Sequence, residues 1–160
     1  MIVAMAAAVA IAQASVAPPT TAAPRSPLPA AQRDYLLQCG GCHGIQGLSA
    51  GRLVPTLKGQ VGAFLCLDQG REYIARLPNV AFAPVDDQRL TDLLNYMASL
   101  DDNAYPQARA FTTAEVARFR KTPLVAERLT EVRRSVVDQV VKRCGGPVRL
   151  YDYSAASAAR

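Results

Sequence analysis

Two cysteines and a histidine lie within five consecutive positions of this 160-residue chain, Cys39-Gly40-Gly41-Cys42-His43, and the histidine is the only one in the sequence. The C-x-x-C-H spacing is the attachment motif of c-type haem. In that motif both thiols bond to the porphyrin, and the adjacent imidazole ligates the iron. The two intervening residues make one tight turn, so that both sulfur atoms face the same edge of the cofactor. We therefore expect one covalent haem c at Cys39 and Cys42, with His43 as its proximal iron ligand.

Two other chemistries use similar cysteine spacings and remain open at this point. A thioredoxin-like redox dithiol also contains C-x-x-C, but it accompanies a βαβ pattern, which this sequence lacks. Structural zinc sites usually take their ligands from two close pairs of cysteine or histidine. The two remaining cysteines, Cys66 and Cys144, stand far apart and have no other cysteine nearby. Haem attachment is therefore the preferred interpretation.

The N-terminus has the pattern of an export signal. Residues 2–12 are apolar and rich in alanine, and the following small-x-small site favours cleavage before Ser15. The apolar run is too short for a typical transmembrane helix, and no Lys or Arg precedes it. We expect a signal peptide at 1–14, a Pro/Ala-rich linker at 15–27 and a periplasmic location. An N-terminal membrane anchor is the alternative.

Two helices are expected to frame the haem motif. The first runs from Pro29 to Gln38, faces Tyr35 and Leu36 inward and ends where the motif begins. Proline suits the first position of a helix because its missing N–H has no partner to lose there. The second helix begins near Asp86, a favourable N-cap residue. Its apolar residues recur at the spacing of an amphipathic helix: Leu90, Leu93, Leu94, Met97 and Leu100.

Several positions outside the motif resemble the class I cytochrome c family. Tyr35 and Tyr96 stand where that family places the aromatic residues at the crossing of its first and last helices, and Ala31 stands at a small-residue position. The segment Val54-Pro55-Thr56-Leu57-Lys58-Gly59 looks like the family's P-x-L-x-G sequence. The resemblance spans about residues 28–100, which is less than half of the chain.

The resemblance implies an all-α, cytochrome c-like domain around the haem, at residues 28–102. It also implies that the Pro55 carbonyl accepts a hydrogen bond from His43 Nδ1, a contact that orients the ring and raises its basicity. Leu57 would pack on the haem. Single-electron transfer by such a domain needs no acid–base catalyst, so we expect no catalytic residues and no enzyme activity of that kind.

The distal side of the iron is where the sequence departs from the family. The loop at 76–84, where the family places a methionine ligand, contains none. Met97 lies on the last helix and is interpreted as a core residue, because methionine commonly fills irregular apolar gaps. The sixth ligand remains open between Met97, Asn79, Cys66, water, a group from another protein and an empty position. A missing methionine should lower the reduction potential or permit binding of small ligands.

Residues 103–160 form a predicted helical extension. One helix is expected to start near Thr112, which is spaced from Glu115 as a capping box. Thr122-Pro123 ends it, and a second helix runs from Leu124 to about Arg143, before a pair of glycines. Residues 148–160 are expected to be a loosely ordered tail. A disulfide between Cys66 and Cys144 suits an exported protein, and two separate buried thiols are the alternative.

Positive charge is concentrated in this extension. Residues 15–102 carry seven basic and eight acidic side chains, whereas residues 103–160 carry eleven basic and five acidic ones, so that the net charge of +5 comes entirely from the extension. Such a surface can steer association with an acidic redox partner protein or with an anionic membrane. A solvated helix face without a partner is the alternative. Export argues against a nucleic-acid partner.

These patterns together predict a periplasmic monohaem c-type cytochrome. We expect it to carry single electrons between a dehydrogenase or oxidase and the respiratory chain. One alternative is a haem-based sensor or enzyme that binds small ligands at an open distal site. The other is a fixed haem subunit of a larger redox complex, with the extension as its interaction arm.

Overall fold

A computed structural model describes residues 28–49, 54–101, 104–125 and 128–151 of the protein. Within these ranges the chain is all-α, as predicted, and contains no strand. The helices are α1 (Ala30–Gln38), α2 (Gly40–His43), α3 (Val61–Phe64), α4 (Asp68–Arg76), α5 (Pro78–Ala81), α6 (Asp87–Ser99), α7 (Thr113–Phe119), α8 (Leu129–Cys144) and a 3-10 helix (Val148–Tyr151). The predicted signal peptide, the linker and residues 152–160 lie outside the described residues. None of the helices described is long and apolar enough to cross a membrane.

Helices α1 and α6, which were predicted to frame the motif, pack against each other. The rings of Tyr35 and Tyr96 lie 5.5 Å apart between centroids. Asp34 is also buried on α1 and accepts two hydrogen bonds from the Arg89 guanidinium, at 3.0 Å from Nε and 2.6 Å from Nη2. Leu36, which was predicted to face inward, is only half-buried, because Asp34 and Tyr35 form the inner face of α1. An aromatic contact and an ion pair therefore hold the two helices together.

The beginning and the buried face of α6 agree with the prediction. Asp86 is its N-cap residue, and the carboxylate accepts a hydrogen bond of 2.8 Å from the backbone N–H of Arg89. Such a bond satisfies one of the amide groups that a helix leaves without an internal partner. The buried apolar side chains of α6 are Leu90, Leu93, Leu94 and Met97. This stripe packs toward α1, α3 and α7.

Three short helices fill the chain between the motif and α6. Helix α4 packs closely on α3, and Gly70 permits the approach, since a Cβ at this position would lie 2.0 Å from the carbonyl oxygen of Phe64. Helix α5 follows directly and begins at Pro78. The sequence predicts a loop over residues 76–84, so the helical turn α5 in this region is a correction.

The two helices of the extension are present, but the second begins later than predicted. Thr112 and Glu115 form the predicted capping box at the start of α7. Helix α8 begins at Leu129 rather than at Leu124. The reason is tertiary, because the backbone N–H of Leu124 donates to the carbonyl of Arg76 at 2.9 Å and the Leu124 side chain is buried. Gly145 ends α8 in the left-handed conformation expected of a C-terminal glycine, with φ of 64°.

The first residues of the predicted tail are ordered, which corrects the prediction for 148–151. They form a 3-10 helix whose Leu150 side chain is fully buried. The Arg149 guanidinium donates to the carbonyl of Gly59 at 2.7 Å. An apolar anchor and a hydrogen bond therefore return the chain to the region of the P-x-L-x-G segment.

The extension shares one hydrophobic core with the preceding residues. Cys66 and Cys144 form a disulfide, with Cα atoms 6.3 Å apart across a sequence separation of 78 residues. One continuous cluster of buried apolar residues includes Tyr35 and Leu94 as well as six residues of the extension: Phe111, Val116, Leu124, Val137, Val140 and Leu150. Residues on both sides of the predicted boundary at 102 and 103 therefore pack together.

Candidate cofactor site

The C-x-x-C-H segment forms one tight helical turn directly after α1. The carbonyl of Cys39 accepts hydrogen bonds from the backbone N–H groups of Cys42, at 3.2 Å, and of His43, at 2.9 Å. Because this turn brings residues three and four positions apart onto one side, Cys39, Cys42 and His43 all line the same cleft. The turn that the spacing predicted is therefore present.

Gly44 allows the chain to turn sharply after His43. Its φ is 76°, and a Cβ at this position would lie 2.3 Å from the carbonyl oxygen of Leu48. The hydroxyl of the fully buried Tyr35 donates to the Gly44 carbonyl at 2.5 Å. Helix α1 thus fixes both ends of the motif, since it leads directly into Cys39 and holds the residue that follows His43.

The predicted hydrogen bond between the histidine and the P-x-L-x-G segment is present. His43 Nδ1 lies 2.8 Å from the carbonyl oxygen of Pro55. A carbonyl can only accept, so Nδ1 is the donor, and a neutral imidazole with this tautomer has the Nε2 lone pair that binds a metal. The imidazole therefore has the tautomer and orientation that a proximal ligand requires.

Neighbouring hydrogen bonds hold the Pro55 segment in place. The Gly47 carbonyl accepts from the backbone N–H groups of Leu57, at 2.8 Å, and Lys58, at 3.0 Å. On the other side of Pro55, the Ser49 hydroxyl donates to the carbonyl of Val54 at 2.8 Å. These contacts join the segment to the chain that follows the motif, so the Pro55 carbonyl faces His43 from a fixed position.

Asp101 secures the end of the same segment. Its buried carboxylate accepts hydrogen bonds from the backbone N–H groups of Gly59 and Gly62. Burial raises the pKa of Asp101, and the backbone hydrogen bonds oppose that shift. Asp101 lies close to the predicted end of the haem domain at residue 102, and its side chain supports the cleft.

The walls of the cleft are mainly apolar and come from distant parts of the chain. The apolar lining side chains are Leu57, Val61, Phe64, Ile74, Leu77, Val80 and Met97. Polar groups lie among them at Gln38, Thr56, Gln60, Asn79 and Arg133. Apolar walls with a few convergent polar groups are typical of cofactor sites.

The predicted attachment residues line the cleft, but several other lining residues were not predicted. Leu57, Met97 and Asn79, all named from the sequence, line the cleft, whereas Cys66 does not. Cys66 is bonded to Cys144, so its proposed role as a distal iron ligand is wrong. Phe64, Ile74 and Arg133 were not predicted, because they reach the cleft through the packing of α3, α4 and α8.

The cysteine environment does not favour the two alternative chemistries. Burial raises the pKa of the Cys39 thiol to about 11, and the neighbouring Cys42 adds to the shift. Redox-active dithiols instead have lowered thiol pKa values. Cys66 and Cys144 are joined to each other and cannot complete a zinc site. No cluster of three or more His, Cys, Asp or Glu residues suited to a metal occurs in the described part of the chain.

The residues present fit a c-type haem. Two thiols that are not in a disulfide, Cys39 and Cys42, lie on the same cleft as an imidazole whose Nε2 is available. Apolar side chains surround them and can cover a porphyrin face. Comparisons with protein-family models, with curated proteins and with solved structures find no match for the chain.

Proposed function

We propose that the protein is an exported monohaem c-type cytochrome that carries single electrons between a dehydrogenase or oxidase and the respiratory chain. One observation carries the proposal. The thiols of the C-x-x-C-H motif and its histidine line one apolar cleft, and His43 Nδ1 lies 2.8 Å from the Pro55 carbonyl oxygen.

Each part of the cleft has a role in this proposal. Cys39 and Cys42 hold the haem covalently, and His43 binds the iron through Nε2. The Pro55 carbonyl orients the imidazole and raises its basicity. Leu57 and the other apolar lining residues exclude water, which helps to set the reduction potential. The haem, when bound, supplies the one-electron chemistry of the iron.

Arg120 of the extension fixes the end of the loop at 76–84, where the resemblance places the distal side of the haem. The Arg120 guanidinium donates to the carbonyls of Ala81, Ala83 and Val85, at 3.0, 2.9 and 2.9 Å. Met97 and Asn79 line the cleft and remain the protein candidates for the sixth ligand. Water, a partner-supplied group and an empty position also remain.

Covalent haem attachment is the decisive test of the proposal. The protein is produced in a periplasm together with the c-type maturation machinery, and haem that survives denaturation is measured. We expect one haem per chain, and its loss in the double variant Cys39→Ala/Cys42→Ala. The matched control, Cys66→Ser/Cys144→Ser, also removes two cysteines and should keep the haem. Absence of covalent haem from the unmodified protein would refute the cytochrome proposal.

A second candidate function, ligand sensing or catalysis at the iron, is favoured by one observation. No methionine lies in the loop at 76–84. Of the residues in this loop that line the cleft, the exposed Asn79 has a polar side chain. Optical spectra with and without carbon monoxide separate the candidates. A low-spin reduced haem that ignores carbon monoxide indicates two protein ligands and an electron carrier. A high-spin haem that binds it indicates an open site.

The third candidate, a fixed subunit of a redox complex, differs in its state of assembly. The electron carrier should elute as a free protein of about 17 kDa or less. A subunit should co-purify with its partners from its native membrane or periplasm. The solution mass of the natively purified protein therefore distinguishes the two.

A further inference from the structure

We propose that Arg133, which lies on α8 in the extension, is the anion-binding residue of the cleft and pairs with a propionate carboxylate of the haem. The inference rests on the proposed haem function. It gives the extension a direct part in the cofactor site, in addition to any role in docking.

The position of Arg133 is unusual for an arginine. Its side chain is buried, with 5% of the residue exposed, and it lines the same cleft as Cys39 and His43. The guanidinium carbon lies 5.4 Å from the centroid of the Phe64 ring, and Nη2 donates to the Leu150 carbonyl at 3.2 Å. The guanidinium is thus held by an aromatic wall of the cleft and by the 3-10 helix that follows α8.

Charge is the second argument. Arg133 is the only lining residue with a charged side chain of the Asp, Glu, Lys or Arg type among the described residues of the cleft. A haem brings two carboxylates, and placing a carboxylate against apolar walls is unfavourable unless a cation and hydrogen bonds compensate. Arginine suits this task because its planar guanidinium binds a carboxylate through two parallel N–H groups.

Arg71 and Arg133 are both buried, but their side chains make different contacts. Arg71 points its guanidinium at the extension, where it binds the carbonyls of Arg109 and Ala110 and the carboxylate of Glu115. Those contacts join α4 to the chain around α7. Arg133 instead reaches from the extension to the cleft. The disulfide of Cys144 and the packing of α8 on α3 and α4 fix its position.

The test uses the haem-loaded full chain with Arg133→Gln, Arg133→Lys and the control Arg134→Gln. Arg134 is exposed on the same helix, so its replacement removes the same charge without altering the cleft. The midpoint potential is measured by spectroelectrochemistry between about pH 5 and pH 8, where a partly buried carboxylate can titrate. Resonance Raman spectra report the propionate bending modes.

We expect Arg133→Gln to lower the midpoint potential, because an unpaired propionate favours the oxidised, more positive haem. We also expect the potential to become dependent on pH, since the propionate can then take up a proton on reduction, and the bending modes to shift. Arg133→Lys should recover part of both changes, and Arg134→Gln should show neither.

Two results would overturn the assignment. One is an Arg133→Gln haem protein with unchanged potential, pH profile and propionate modes, in which case the cytochrome proposal still stands. The other is a variant that changes only the affinity of the oxidised iron for cyanide or azide, which would place Arg133 beside an iron-bound anion. Absence of haem from the unmodified protein instead refutes the proposed function itself.

Discussion

At the scale of single residues, the motif is held by contacts that few other side chains could make. Gly44 turns the chain where a Cβ would meet the Leu48 carbonyl, and Tyr35 donates to the carbonyl of that glycine. The imidazole of His43 is oriented by a hydrogen bond within the protein itself, to the Pro55 carbonyl. Such preorganisation means that a ligand can bind with little rearrangement.

Replacing Gly44 by alanine should therefore be much more harmful than replacing Gly41. Gly44→Ala combines a positive φ with a steric clash, so we expect the free energy of unfolding to fall by about 1–3 kcal/mol. Gly41 lies in the helical turn α2, and a Cβ there would meet no neighbouring atom within 4 Å, so Gly41→Ala should be neutral or slightly stabilising. Urea denaturation of both variants measures the difference, and equal losses would contradict the role of Gly44.

At the scale of helices, the packing of α1 on α6 depends on an ion pair as well as on apolar contact. The Arg89 guanidinium, through its hydrogen bonds, holds the pKa of Asp34 below its usual value of 3.8, although burial opposes this shift. A carboxyl group whose pKa is lowered in the folded state stabilises that state most when it is ionised.

The variant Asp34→Asn should lower Tm at neutral pH. The stability supplied by Asp34 is complete above its unfolded pKa, near 4, and is lost as the pH falls through the lower, folded value. The gap in Tm between the natural protein and the variant should therefore narrow below about pH 4. Asp92→Asn, which changes an exposed acid on α6 that accepts a hydrogen bond from Gln88, is the control. A gap that stays constant with pH would exclude the proposed linkage.

Arg120 joins the extension to the loop that precedes α6. Its guanidinium contacts three carbonyls there and the Asp87 carboxylate. We expect Arg120→Ala to lower the free energy of unfolding by about 2–4 kcal/mol, because several charge-assisted hydrogen bonds are lost together. The control Arg118→Ala removes an exposed arginine from the neighbouring helix α7 and should cost well under 1 kcal/mol. The unfolding free energies of both variants are measured by chemical denaturation. Equal losses in the two variants would show that the Arg120 contacts do not stabilise the loop.

At the scale of the whole molecule, the extension is part of the core and is covalently joined to it. We expect the double variant Cys66→Ser/Cys144→Ser to lose about 2–4 kcal/mol of unfolding free energy, since the disulfide restricts a long segment of the unfolded chain. Adding a thiol reductant should destabilise the natural protein by a similar amount and leave the variant unchanged. If the reductant left the unfolding free energy of the natural protein unchanged, the disulfide would not contribute to its stability.

The charge of the extension leads to a second prediction at this scale. Arg133 is buried, and Arg120 is mostly buried against backbone carbonyls, so neither can steer a partner directly. The exposed basic residues include Arg118, Lys121, Arg134, Lys142 and Arg143. If they dock an acidic redox partner, electron-transfer rates measured by stopped flow should fall as salt rises, because screening weakens long-range attraction. A salt-independent rate would remove the docking hypothesis.

The sequence by itself determined the features that depend on residues close together in the chain. The C-x-x-C-H turn, the two framing helices, the Asp86 cap and the Thr112 capping box all follow from local spacing, and all are present. The P-x-L-x-G likeness also correctly predicted the hydrogen bond between His43 and Pro55. Local patterns predict such features because their partners lie within a few residues or in a recurrent segment.

Only the tertiary structure decided which distant segments meet. In the sequence, Arg133 is one of several basic residues of a predicted helix. The residues next to it in the chain do not indicate that its side chain lines the cleft. The later start of α8 and the burial of Leu150 have the same origin. The bond between Cys66 and Cys144 was predicted from the sequence, with two separate thiols as the alternative, and the structure confirms it. The position of Arg133, the start of α8 and the burial of Leu150 each depend on contacts between residues far apart in sequence, whose energies can outweigh local helix preference.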